Sequence, residues 1–430
     1  MTQSMKTILL FALVAVLIIG TGILQGPNLA LVILNMGLVS AIMALGVNLQ
    51  WGIAGLFNVG VMGFVALGGL AVVLTSTAPV PEAWSAGGLR AWFAILLAIC
   101  TVAGSAMMYK RTRKGWLVAL VLLVGFIVYR WVRDPAVGAI EAVNPASTGF
   151  LGGLGLPVVM AWPMGGLLAA GAAWVIGKTA LGLRSDYLAI ATLGISEIII
   201  AIIKNEDWLS RGVKNVTGLP RPVPYEVDLQ NDPGFVESAA GFGLDATLAS
   251  SLYVKIGYSL MFTAVLLIIL VLAQLALNSP WGRMMRAIRD NEVSSRAMGK
   301  DVTFRHLQVF ILGSAICGIA GAMMTTLDGL FVPTSYQPLR YTFLIWVMVI
   351  VGGSGNNFGS ILGGFIIWFL WVQVEQIGPA IMIFLTSGLA EGSALKAHLL
   401  DSVAHMRLLT MGVILLLVLR FSPRGLLPEK

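Results

Sequence analysis

Charge is what this sequence has least of. Asp, Glu, Lys and Arg make up 11% of its 430 residues, against 58% hydrophobic residues. A soluble domain carries roughly 25% charged residues, so a soluble globular chain is excluded and an integral membrane protein is expected. Cysteine is almost absent. Cys100 and Cys317 both lie in apolar runs, without the spacing of a disulfide framework, a metal site or a C-x-x-C motif. His306, His398 and His405 have no cysteine or carboxylate at metal-ligand spacing. No G-x-S-x-G elbow, H-E-x-x-H helix or dinucleotide fingerprint occurs. Residues 172–179, AAWVIGKT, come within one glycine of a phosphate-binding loop. Ala172 replaces that glycine, however, and the stretch closes an apolar helix instead of following a buried strand. The chain is therefore not read as an enzyme, and no cofactor is expected. A transporter, a channel or a membrane scaffold remains.

What is present is a series of apolar runs of helix length: residues 7–24, 29–49, 52–74, 90–109, 115–131, 158–176, 186–204, 255–277, 306–327 and 406–421. Such runs suit helices crossing a hydrocarbon core about 30 Å thick, and the alternating pattern of a membrane barrel is missing. Two shorter runs, 341–351 and 358–374, are separated by GGSGNNFG. They read as a re-entrant or short-helix pair near the C-terminus. The expected fold is an all-α polytopic bundle of about 10–12 membrane segments, a single permease-like domain over 1–430. The first run exits through TGILQGPN without a small-x-small cleavage site, so it reads as an uncleaved span. Fifty glycines suit close helix packing. The third run is interrupted by Gly52, Gly55, Gly60, Gly63, Gly68 and Gly69, with Asn48, Gln50 and Asn58 in or beside it. Amides in hydrocarbon either bond neighbouring helices or line a wet path.

The charges are sorted by side. Lys6, the KRTRK cluster at 110–114, Lys178 with Arg184, the insert at 278–305, and Arg424 with Lys430 all belong inside if Lys and Arg collect in cytoplasmic loops. Both termini are then cytoplasmic. The net charge of +7 follows from this rule, and no nucleic-acid partner is expected. Residues 205–254 form the longest polar segment. Its 205–245 part carries seven acidic residues against three basic ones, and Pro220, Pro222, Pro224 and Pro233 forbid a long helix. It reads as a compact extracytoplasmic loop.

The insert, NSPWGRMMRAIRDNEVSSRAMGKDVTFR, holds six basic and three acidic residues. Ser279 is placed to cap a helix and Pro280 suits its first turn. Arg286, Arg289 and Asp290 share one face, which Glu292 and Arg296 continue. Gly299 is placed to end the helix. Such a short charged helix between two spans has the shape to press into a groove on a soluble partner. A solvated loop obeying the positive-inside rule is the plainer alternative.

Four stretches carry a family resemblance. GRMMRAIRDNEVSSRAMGKDVTFRHLQVFILGSAICGIAGAM resembles the cytoplasmic coupling segment and following span of branched-chain amino-acid ABC importer permeases. NLQWGIAGLFNVGVMGFVALGG (48–69) is similar to their third-span signature, and LRSDYLAIATLGISEIII (183–200) to a further signature. IVGGSGNNFGSILGG (350–364) with FSPRGLLP (421–428) resembles their closing pattern. Residues 76–179 carry little of the resemblance. Val61 stands where the family usually has a histidine.

The resemblance implies a bacterial inner-membrane permease subunit. Its partners would be a second homologous permease subunit, two cytoplasmic ATPase subunits, a periplasmic substrate-binding protein and membrane lipid. It implies that Arg286, Arg289, Asp290, Glu292, Arg296 and Gly299 couple to the ATPase, and that the 205–254 loop faces the binding protein. Asn58, Tyr187, Thr192 and Glu197 become pathway or packing positions. Cargo would be a branched-chain or related amino acid, with urea or short-chain amides as the alternative. The rival class is an ion-coupled secondary transporter, for which Glu197 and Glu375 are the candidate intramembrane carboxylates.

Overall fold

The computed structural model describes residues 3–389 and 393–429. Helices α1 (Gln3–Leu24) and α2 (Pro27–Val47) form an opening hairpin. Pro27 sits at the first position of α2, where its missing N–H costs nothing. α2 does not end cleanly. It widens into a π-helical turn, Asn48–Ile53, and then the backbone is irregular until α3 (Val61–Ser76) begins. The glycine-interrupted third run expected over 52–74 is helical only from Val61 onward, and its first part is the break. Gly55, at a φ of 73°, turns the chain out of the helix. Buried amides replace the helical hydrogen bonds that the break gives up. Irregular backbone at membrane depth is tolerated where protein surrounds it.

Next come a long hairpin of α4 (Leu89–Thr112) and α5 (Gly115–Glu141), then α6 (Val158–Ala180) and α7 (Ser185–Asn205). The polar segment that follows holds only short helices, Asp207–Ser210, Glu226–Asn231 and Pro233–Gly241, as its prolines require. α8 (Ala246–Asn278) starts nine residues before the expected position 255. Asp245 caps it by accepting from the Thr247 N–H at 3.0 Å, and its polar Ser251 and Lys255 both reach Asn28 of α2. At 33 residues it is about 50 Å long, more than a hydrocarbon core needs.

The insert forms two helices instead of one, α9 (Pro280–Asp290) and α10 (Glu292–Ala297). They break at Asn291, which leaves helical geometry and caps α10 by accepting from the Ser294 N–H. Ser279 stands at the cap position of α9, but its hydroxyl turns back to the Ala276 carbonyl at 2.6 Å and caps nothing. α11 (Val302–Asp328) leads away from the insert. At its far end Leu330–Phe331 pairs antiparallel with Val216–Thr217, tying the polar loop to the end of α11 opposite the insert.

α12 (Pro338–Gly352) is a short helix, as expected of run 341–351. Run 358–374 is not short. It belongs to α13 (Asn357–Thr386), which is long enough to cross alone. Two polar residues at the end of the apolar run are paired. Gln373 donates to the Thr21 hydroxyl and accepts from Gln25, both on or beside α1, and Glu375 pairs with Arg407. α14 (Ala394–Asp401) and α15 (Met406–Phe421) complete the chain. Among the described residues nine helices are long and apolar enough to cross a membrane. The bent pair α14–α15 makes a tenth candidate, and α3 and α12 are shorter apolar helices. The protein is a multi-pass helical membrane bundle.

α2, α3, α6 and α11 form the centre of the bundle. Without water to drive apolar faces together, small residues must let backbones touch. A β-carbon at Gly68 would strike the Gly318 carbonyl oxygen, and one at Gly318 would strike that of Gly165. Three helices meet there at backbone distance.

Candidate functional site

The break after α2 is the polar centre of the molecule. Asn48, Gln50 and Asn58 are each at most 2% exposed, so each amide must find partners inside. Asn48 donates to Asn357 Oδ1 at 3.0 Å and accepts from the Gly355 N–H at 2.8 Å. It therefore clasps the other break in the bundle, the Gly353–Asn356 turn between α12 and α13. Gln50 donates to the Phe310 carbonyl and to Ser314 Oγ, both at 3.0 Å, binding the break to α11. Asn58 donates to Gln50 Oε1 at 2.9 Å and accepts from the Gly60 N–H, while its carbonyl accepts from Trp346 Nε1 at 3.1 Å. Thr192 brings in α7, its hydroxyl accepting from the Val59 N–H at 3.1 Å. Two interrupted helices, α11, α12 and α7 thus share one network of hydrogen bonds.

The insert reaches this network directly. Arg289 Nη1 donates to the Gly52 carbonyl and to Glu429 of the C-terminal tail, the latter at 2.8 Å. Burial works against the Arg289 charge, but the hydrogen bond and charge of Glu429, with Asp290 after it, hold its pKa above the usual value. The tail is anchored in turn, as the Leu426 and Leu427 N–H groups donate to the Val351 and Gly352 carbonyls. Arg286 is also turned inward. It reaches the Leu277 carbonyl and, with Asn356, Asn357 and Glu429, lines a 480 Å³ cavity. Asp290, Glu292 and Arg296 point outward, the last two joined as an exposed ion pair. Gly299 follows at a φ of 78°, which a non-glycine residue adopts only with strain. The face expected to be continuous is therefore split. Its α9 arginines hold the bundle, and its α10 residues meet solvent.

The four proposed pathway positions separate in the same way. Asn58 and Thr192 lie in the buried network. Tyr187 and Glu197 are exposed on the outer face of α7, away from every cavity described here. A feature absent from the sequence reading lies on the far side of the network. A cavity of 340 Å³ opens between α2, α3, α11, α12 and α13, and Asp328, the last residue of α11, is on its wall. Glu197 and Glu375 are the expected intramembrane carboxylates, and Asp328 is a further acid, exposed at the end of an apolar helix and on the cavity wall. Its signal was a lone acid at the end of an apolar run, followed by a glycine.

Residues 29–419 match the family described as the permease component of branched-chain amino acid transport systems. The chain is similar to the high-affinity branched-chain amino acid transport system permease protein LivM of Salmonella typhimurium, 27% identical over 273 residues, and to that of Escherichia coli, 26% identical over 271 residues. Each alignment covers 62% of this chain and 56% of the relative, so the chain spans little more than half the length of these two proteins. A probable branched-chain amino acid transport permease protein LivM of Methanocaldococcus jannaschii is 26% identical over 305 residues, 71% of this chain and 76% of the relative. No solved structure matches the chain. With the broken helices and the insert falling inside the matched span, this multi-pass membrane protein belongs to the permease-component family of branched-chain amino acid transport systems.

Proposed function

We propose that this chain is one of two permease halves of an ATP-driven importer in the bacterial inner membrane. It moves branched-chain amino acids handed over by a periplasmic binding protein. One of two ATPase subunits docks on the insert from the cytoplasm, where both termini also lie, and the 205–254 loop faces the binding protein.

The observation that carries this reading is the two-faced insert. On its inner side Arg289 holds Gly52 of the broken helix and Glu429 of the tail. On its outer side Val293 and Met298 are 79% and 76% exposed, set beside Asp290 and the Glu292–Arg296 pair. A loop whose only task is to carry positive charge has no use for exposed apolar side chains there, whereas a docked subunit covers them. Force applied outside is passed through Arg289 to the break, and Asn48 passes it on to the second break. Gly299 sets the turn back into the membrane. Asn58 and Thr192 hold the network together. Glu197 and Tyr187 face the second permease subunit, because a carboxylate facing lipid is costly without a protein partner.

The test is uptake by vesicles carrying the complete transporter, with leucine, isoleucine, valine, urea and acetamide as cargo. Val293→Asp should abolish co-purification of the ATPase while the permease pair stays intact. Arg289→Glu should leave the ATPase bound and lower uptake about 10-fold, the equivalent of one lost charge-assisted hydrogen bond. Uptake that needs no ATPase and collapses with the proton gradient would sink the importer reading in favour of ion coupling.

A further inference from the structure

The 340 Å³ cavity beside the broken helices has a composition that points to its occupant. Five methionines line it, Met36, Met43, Met62, Met324 and Met348. Its remaining wall includes Ser40, Ser335, Tyr341, Trp368 and Asp328. Among the described residues, the side chains of Asp328, Ser40 and Ser335 make no hydrogen bond or ion pair, and the buried indole Nε1 of Trp368 has no partner. Ser196 Oγ, His306 Nε2 and Asn357 Nδ2 are also unpartnered, but many buried polar groups elsewhere in the bundle are satisfied. The Asn48–Gln50–Asn58 network is one case, and the Tyr336 hydroxyl, which bonds Thr325 at 2.9 Å, is another. Asp328 is an exposed carboxylate at the end of α11, and it lines the cavity without a partner from the protein. A cavity that keeps such a carboxylate, together with two free hydroxyls, is arranged for a ligand that supplies the missing partners.

The chemistry of that ligand can be read from the wall. A lone carboxylate without a cation calls for a positive group, such as an ammonium. Methionine side chains are flexible and polarizable, so they fit aliphatic groups of differing branching. The volume lies at the small end of the range for small-molecule sites, about 300–1,000 Å³. A second cavity of 220 Å³ adjoins it, and the two share Met36 and Asp328. Arg221, Glu226 and Lys255 line this outer chamber. Arg221 is paired with Glu226 at 2.9 Å, whereas Lys255 reaches only the neutral Asn28 side chain at 3.0 Å. The chamber's two cations outnumber Glu226, the acid they share, so a net positive charge stands beside Asp328. That is complementary to a zwitterion, and to neither urea nor a simple amide.

We propose that the methionine-lined cavity is a transit site for a zwitterionic aliphatic amino acid, with Asp328 taking the ammonium group and the methionines the hydrocarbon side chain. Lys255 in the outer chamber meets the carboxylate on the way in. The site deepens the importer reading and rests on it. Its polar contacts are few, as a site that must release its ligand requires.

The experiment is leucine uptake by proteoliposomes holding the complete transporter, with ATP inside and leucine-loaded binding protein outside. Asp328→Asn keeps the shape and removes the charge. It should lower the maximal uptake rate about 10-fold to 100-fold, the loss expected for one charge-assisted contact. ATP hydrolysis stimulated by the loaded binding protein should remain. Asp328→Glu should restore part of the rate, which a purely structural role for Asp328 would not predict. Lys255→Gln should have the smaller effect. Met348→Trp, which fills the cavity without touching the charge, should also stop uptake. Amounts of assembled complex are measured for each variant. Unchanged leucine uptake by Asp328→Asn overturns the transit site and leaves the importer reading standing. A wild-type transporter that moves urea but no amino acid overturns both.

Discussion

Two parts of this molecule have nearly the same hydropathy and opposite surroundings. The window within Pro27–Ile53 has a mean hydropathy of 2.3 and is 78% buried, while that within Gly115–Glu141 has a mean hydropathy of 2.0 and none of it is buried. The first belongs to the centre of the bundle. The second, α5, packs with α4 as a peripheral hairpin whose Phe93, Leu96, Phe126 and Ile127 are all exposed. The hairpin touches the rest of the protein through a small cluster of Ala91, Ala136 and Ile140 against Trp208, and through the Arg133–Glu206 ion pair. Hydropathy thus reports only that both segments sit in a membrane. What separates them is side-chain size and polarity. In lipid a large apolar side chain is already well solvated, so burial has to come from close backbone contact and interhelical hydrogen bonds. The centre has both, in its glycines and its amides. The hairpin has few of either, and it lies in the stretch where the family resemblance is weakest.

The comparison breaks first at the glycine contacts. Gly68→Leu forces a side chain into the Gly318 backbone, so it should cost at least about 3 kcal/mol, the upper part of the overpacking range. The measurement is thermal unfolding and the yield of monodisperse protein in detergent. A variant that melts like the wild type would mean that the three central helices do not meet at backbone distance. Asn48→Leu should come next. It leaves the Gly355 N–H and Asn357 without their partner, a loss of about 1 to 2 kcal/mol, at the upper end for interhelical bonds in membranes. Uptake should fall more steeply than stability, because the clasp between the two breaks is lost. The smallest effect belongs to the hairpin. Gly104→Ala meets open space on exposed α4 and should change stability by less than about 0.5 kcal/mol. A larger loss would show that the exposed hairpin face is covered by protein in the assembled transporter.

Much of the fold was legible because each signal was local. Apolar run length and the prolines of the 205–254 loop both act within a few residues of themselves. The expectations that changed were those that depended on a distant partner. Run 358–374 looked short because Gln373 and Glu375 are polar, and only Thr21, Gln25 and Arg407 make them acceptable within a longer helix. Residues 52–74 looked like one span because nothing nearby shows that Gln50 and Asn58 bond each other and α11. In the insert the charges were visible but their directions were not. Helical spacing places Arg289 and Asp290 each three or four residues from Arg286, yet Arg289 turns in to Gly52 while Asp290 stays exposed.

Composition and hydropathy alone establish a multi-pass helical membrane protein, its polar insert and its acidic loop, because partition between water and lipid is a property of each segment. Which helices are central and which peripheral, that two breaks clasp each other through Asn48, and that Asp328 stands unpaired among methionines depend on tertiary contact. Hydrogen bonds and backbone packing are pairwise and short-ranged, and their partners here lie hundreds of residues apart in sequence.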